Sequence, residues 1–126
     1  GWVLPILVQE HAQYGESSLN GLESLGYREV MKHAAEGDGC ARDVLDHCLQ
    51  FWGEALVSFI HLFDPERIIV GGGIMNEPEP VLQRFRDIVS ELAWAEEGQV
   101  SIVKAEHPDN AGLIGAGALF YTAARN

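Results

Sequence analysis

The sequence predicts an α/β fold, a parallel or mixed sheet with helices packed on it. Two short β-branched runs, "RIIVG" at 67–71 and "VSIVKA" at 100–105, alternate with longer segments whose apolar residues recur every three or four positions, and that alternation is the pattern of helices covering a sheet. With 126 residues, 47% hydrophobic and 21% charged, the chain has the composition of a single globular domain spanning 1–126 with a core of ordinary size.

Along the chain, residues 12–26, "AQYGESSLNGLESLG", are rich in Gly, Ser and Asn and keep no period, so 1–25 is loop-rich. "YREVMKHAAEG" at 27–37 reads as a short helix closed by Gly37. The strongest periodicity follows. Ala41, Val44, Leu45, Cys48, Phe51, Trp52, Ala55, Leu56, Phe59, Leu62 and Phe63 form a wide apolar stripe on a helix of about six turns. Asp38 can cap it, and Pro65 disfavours helical geometry at Asp64, so it stops near Phe63.

"RIIVG" is apolar, short and bounded by Pro65 and glycines, which predicts a central strand buried on both faces. Beyond it Asn76 can cap a helix whose first turn tolerates Pro78 and Pro80, with Val81, Leu82, Phe85, Ile88, Val89 and Leu92 inside. "VSIVKA" supplies a second strand. "DNAGLIGAGALFYTAAR" at 109–125 is a last helix with an Asp or Asn cap and an Arg suited to the dipole at its end. Two strands do not make a stable sheet alone. Either "WVLPILV" at 2–8 adds strand, or another chain or further residues complete the sheet.

Charge excludes one class of partner. Eight Lys and Arg against nineteen Asp and Glu give −11, which repels phosphate backbones and anionic lipid, so direct nucleic-acid binding by this segment is not expected. Cys40 and Cys48 are too few for a disulfide framework and lie about 12 Å apart along one helix; reduced thiols in a cytoplasmic protein are expected. The first segment has no basic n-region or cleavage site. The longest run of apolar and small residues, 111–124, is shorter than the ~20 residues that span a bilayer.

Ligands of open α/β sheets bind at the carboxyl ends of strands, where Gly71, Gly72 and Gly73 stand. Glycines there either make a tight strand-to-helix turn or let backbone N–H groups approach a ligand, with the next helix N-terminus adding partial positive charge. The stretch is neither a GK[ST] phosphate loop nor G-x-G-x-x-G. Gly112, Gly115 and Gly117 in the last helix imply close approach by another backbone or a flat ligand, and packing on the sheet is the expectation. Among His11, His33, His47, His61 and His107, only His47 is spaced to share a helical face with Cys40, too few ligands for a structural metal.

"LFDPERIIVGGGI", the long helix before it, "HAAEGDGCARDVLDHC" leading into that helix, and "DNAGLIGAGALFY" near the end together resemble the C-terminal part of the ROK family, bacterial sugar kinases and related transcriptional repressors with an actin-like ATPase (ribonuclease H-like) fold. The similarity runs over roughly residues 22–122. It implies a partial actin-like lobe, with Gly71, Gly72 and Gly73 in the adenosine-side motif of an ATP site and 109–115 in the closing helix. By the same resemblance "GLES" at 21–24 makes Glu23 a sugar-site candidate. Where the family carries a zinc-binding cysteine this stretch has Leu22, and its Cys-x-Cys-Gly is absent, so no zinc is expected here. Glu10 and His11 are similar to the family's Glu-x-Gly-His, at different spacing.

The family's Asp-x-Gly phosphate loop and the Asn-Asp pair that supplies the catalytic base have no counterpart in these residues. The resemblance therefore implies no catalytic residue in this chain, ATP with Mg and a sugar as ligands of the intact protein, and an inactive isolated segment. Three readings follow. One is the ATP-side lobe of a sugar kinase; the second is the C-terminal part of a sugar-responsive repressor. The third is a non-catalytic, homo-oligomeric assembly module with Trp2, Trp52 and Trp94 at a subunit interface.

Overall fold

The computed structural model describes residues 3–76, 78–94 and 100–123. Five helices and two strands follow in the order α1 (Val3–Gln9), α2 (Tyr27–Ala35), α3 (Gly39–Phe63), β1 (Arg67–Val70), α4 (Pro78–Leu92), β2 (Ser101–Lys104) and α5 (Ala111–Ala123). A 3₁₀ turn at Gly73–Asn76 joins β1 to α4.

The apolar run at the start is helix α1 rather than strand. Pro5 lies in its first turn, where backbone N–H groups have no intrahelical acceptor and a proline sacrifices nothing. The loop reading holds for most of 12–26, apart from a 3₁₀ turn at Tyr14–Glu16.

Helix α3 begins and ends where its signals stand. The Asp38 side chain accepts from Ala41 N–H, and Asp64 takes the left-handed conformation at φ 44° ahead of Pro65. Its 25 residues make a rod of about 37 Å against which both cores form. The first core joins Leu4, Val8, Leu19, Val30 and Ala34 to Cys40, Ala41, Val44 and Cys48; the second joins Leu49 to Met75, Val81, Leu82, Phe85 and Ile102. Leu45 and Trp52 pack against both.

Only part of the predicted stripe on α3 is interior. Its first half is buried as expected, but beyond Cys48 the buried positions are Leu49, Gly53, Val57 and Ile60. Phe51, Phe59, Leu62 and Phe63 are exposed. The physical reason is Gly53: a Cβ there would come within 2.5 Å of Ile88 Cδ1 and 3.0 Å of Ile88 Cβ. The bare backbone admits α4, and α4 selects the covered face. Trp52 is half-buried against Tyr27, ring centroids 5.0 Å apart, and packs against both cores. Trp94 is 92% exposed, and Trp2 lies outside the described residues.

Strands β1 and β2 pair in parallel, Arg67 opposite Ser101 and Val70 opposite Lys104. The expectation that β1 is buried on both faces is not met. Ile69 is 65% exposed, because the described sheet has two strands and helices cover one side of it. In α4 Val81, Leu82, Phe85 and Ile88 are buried and Val89 packs against the core as predicted, but Leu92, expected inside at the last turn, is exposed. The side chain of Asn76, its expected cap, lies outside what is described.

Helix α5 departs most from expectation. A Cβ on Gly112, Gly115 or Gly117 would meet nothing within 4 Å, and Leu113, Ile114, Leu119 and Phe120 are exposed. Its glycines are therefore not explained by packing on this sheet. The Asn110 carbonyl accepts from Ile114 N–H at 3.0 Å, which puts Asn110 at the cap position; Arg125 lies outside the described residues.

Candidate functional site

Parallel pairing sends the carboxyl ends of both strands to one edge, where ligands of such sheets bind. Two turns meet there. Ala105 N–H donates to the Val70 carbonyl at 2.8 Å, and Gly72 N–H donates to the Pro108 carbonyl at 2.9 Å. The glycine turn after β1 is thereby tied to the turn that enters α5, two segments remote in sequence.

The three glycines have different reasons. At Gly71 a Cβ would touch Ala105 Cβ and the Pro108 carbonyl oxygen, both at the ordinary distance of 3.6 Å. Gly72 has φ +93°, a conformation L residues disfavour, and its carbonyl accepts from Met75 N–H at 3.0 Å. Gly73 has neither a positive φ nor a neighbour within 4 Å of its missing Cβ. Among the described residues nothing requires glycine at 73. The 3₁₀ turn that starts at Gly73 packs on α2, and its Met75 is fully buried.

A cleft of about 410 Å³ opens between α2, α3 and the first turns of α4. Met31, Ala34, Leu45, Leu49 and Val81 give it apolar walls, with Arg42, Asp46 and Arg84 beside them. Arg84 Nε lies 3.2 Å from Asp46 Oδ1 and its Nη2 donates to Gln50 Oε1 at 3.0 Å. Sequence reading missed this cleft, since its walls come from three helices whose mutual placement has no local signal.

The second sequence candidate, Glu23, is exposed and lies at the far end of a loop fixed to the start of α3. Asp38 is the anchor of that loop. Burial alone would raise its pKa, but donors from Ala41 N–H, the Ser18 N–H and hydroxyl, and the Ser17 hydroxyl outweigh it and hold the carboxyl well below the usual carboxylate range.

His11 and His47 line a second cleft of about 370 Å³ with Leu7, Glu10, Asp43 and Val44. Gln13 N–H donates to His11 Nδ1 at 3.3 Å, which leaves Nε2 to carry the hydrogen toward Asp43 Oδ2, also at 3.3 Å. Cys40, the residue spaced to share a face with His47, is buried beneath α1, so the two are not brought together. Burial pushes the thiols of Cys40 and Cys48 up, and both are free. Among the described residues no group of three or more His, Cys, Asp or Glu is disposed to hold a metal ion.

Residues 10–123 match the ROK family. A glucokinase of Thermotoga maritima is 26% identical over 98 residues, 77% of this chain and 31% of that protein. The N-acetylglucosamine repressor of Escherichia coli is 26% identical over 113 residues, 89% of this chain and 28% of that protein. Among solved structures, a Cytophaga hutchinsonii protein provisionally classed as a sugar kinase superposes with a TM-score of 0.75 at 26% identity, covering 95% of this chain and 40% of that one. The chain thus spans about a third of the length of the curated relatives it matches.

Proposed function

This chain belongs to the ROK family, and from that premise we propose that it is the ATP-side lobe of a sugar kinase with an actin-like ATPase fold. In this reading Gly71, Gly72 and Gly73 receive the adenosine side of ATP, and Glu23 meets a sugar hydroxyl. The observation that carries it is the pair of turns joined by Gly72 N–H and the Pro108 carbonyl, with an open glycine edge at 73. Both stand where ligands of parallel sheets bind.

The reaction so assigned is phosphoryl transfer. The sugar oxygen bonds to the γ-phosphorus, the bond to the β–γ bridging oxygen breaks and ADP leaves. The hydroxyl proton passes to a carboxylate base, which the family resemblance assigns to residues outside this segment. What these residues contribute is nucleotide binding and orientation, worth rate through placement rather than proton transfer. The segment alone is expected to bind without turning over, in the cytoplasm.

Titration calorimetry with ATP·Mg tests the reading. Measurable binding that Gly72→Val abolishes is expected, because valine at φ +93° is strained by about 1–2 kcal/mol and projects into the ligand's path. No binding by the unaltered chain, or equal binding by the variant, sinks it.

A second reading is favoured by one observation. The match to the N-acetylglucosamine repressor of Escherichia coli covers more of this chain than the match to the Thermotoga maritima glucokinase does. As the C-terminal part of a repressor the segment would need sugar recognition but no nucleotide. ATP·Mg affinity separates the two.

A further inference from the structure

Asp38 accepts more hydrogen bonds than a helix cap requires. Capping α3 takes one, from Ala41 N–H to Oδ1 at 2.9 Å. The Ser17 hydroxyl lies 2.9 Å from Oδ1 and 3.0 Å from Oδ2, and Ser18 gives Oδ2 both its N–H at 2.7 Å and its hydroxyl at 2.8 Å. Asn or Ser caps a helix about as well as Asp, so capping does not explain a carboxylate here. An amide cannot accept on both sides; the loop donors demand a carboxylate.

The clasp extends to α2. Ser18 Oγ is 2.6 Å from His33 Nδ1, and with the hydroxyl hydrogen directed to Asp38 the imidazole is the donor in that contact. The loop and the start of α3 therefore meet on one carboxylate, and the end of α2 is joined to it through Ser18.

What the clasp holds is a built turn. Ser17 is buried and its hydroxyl oxygen accepts from Leu19 N–H at 3.1 Å; Leu19 is fully buried. Asn20 N–H donates to the Ser17 carbonyl at 3.0 Å and Gly21 turns the chain at φ +82°. Glu23 follows two residues on and is exposed.

We propose that Asp38 is the positioning residue for sugar recognition: its carboxylate, through Ser17 and Ser18, sets the turn that presents Glu23 to a sugar hydroxyl. This rests on the assignment of Glu23 made above. Asp38 touches no substrate; it acts only through the loop.

The test compares the unaltered chain with Asp38→Asn, with Ser17→Ala/Ser18→Ala, with Glu23→Gln, and with Glu23→Gln combined with Asp38→Asn. Amide hydrogen exchange is followed at residues 18–23 and in the second turn of α3. Affinities for glucose and N-acetylglucosamine are read by NMR titration. Asp38→Asn and the double serine variant should speed loop exchange and weaken sugar binding about tenfold each, the loss of roughly one charge-assisted hydrogen bond, with α3 still protected. Glu23→Gln should weaken binding with loop exchange unchanged. In its background Asp38→Asn should cost no further affinity, which a merely structural role would not produce.

Unchanged loop exchange in both clasp variants overturns the proposal. So does an affinity loss from Asp38→Asn that persists undiminished beside Glu23→Gln. Absence of sugar binding by the unaltered chain, or full affinity in Glu23→Gln, overturns the assignment of Glu23 instead, while the exchange data still decide whether the clasp exists.

Discussion

At the residue scale, Asp38 couples stability to pH. Its pKa is held below the ordinary carboxylate range in the folded state, so folding binds fewer protons than the unfolded chain near that range. The stabilisation is complete above the unfolded value of about 3.9 and drains away as pH falls below it toward the folded value. Asp38→Asn should lower the unfolding free energy by about 1–2 kcal/mol at pH 7. In denaturant titrations that gap should narrow below about pH 4; a gap independent of pH would contradict the carboxylate's part. The cap itself is legible in sequence, since Asp precedes a periodic run. The bonds of Ser17 and Ser18 to the same carboxylate, with His33 bonded to Ser18, are not, because they join residues from three separate segments.

At the element scale, α3 carries the clearest lesson. Its ends follow from Asp38, Asp64 and Pro65, all local signals. Its buried face does not, since apolar residues lie on more than one side and the approach of α4 chooses among them. Gly53 marks the point of contact, with Ile88 filling the space a methyl group would need. Gly53→Ala should therefore destabilise the chain by about 1–3 kcal/mol through overpacking, although alanine is intrinsically the better helix former by about 1 kcal/mol. Thermal unfolding checks this; a raised midpoint would show that the two helices separate at little cost. The glycines of α5 present the opposite case. No neighbour among the described residues explains them, so Gly115→Ala should leave stability unchanged or slightly raise it in the same measurement.

At the scale of the whole molecule, the net charge of −11 predicts that this segment does not retain double-stranded DNA at about 0.15 M salt, where electrostatic attraction supplies nonspecific affinity. A gel-shift titration checks it, and tight binding would require a basic surface that the composition does not contain. The two cores meet along α3, and the sheet contributes one covered face and one open face. Exposed Ile69, Phe59, Leu62, Leu113, Ile114, Leu119 and Phe120 are hydrophobic patterning that the described residues do not bury.

Composition, caps, helix stops, the strand-to-glycine junction and the excess of acidic charge could be read from the chain alone, because each depends on residue type and close neighbours in sequence. Tertiary contact settled which side of α3 is interior, why Gly53 must be glycine, and how the turn at 71–73 meets the turn at 105–108. It also gave Asp38 its partners beyond α3. Those features join residues far apart in the chain, and no local propensity or period encodes the distance between them once folded.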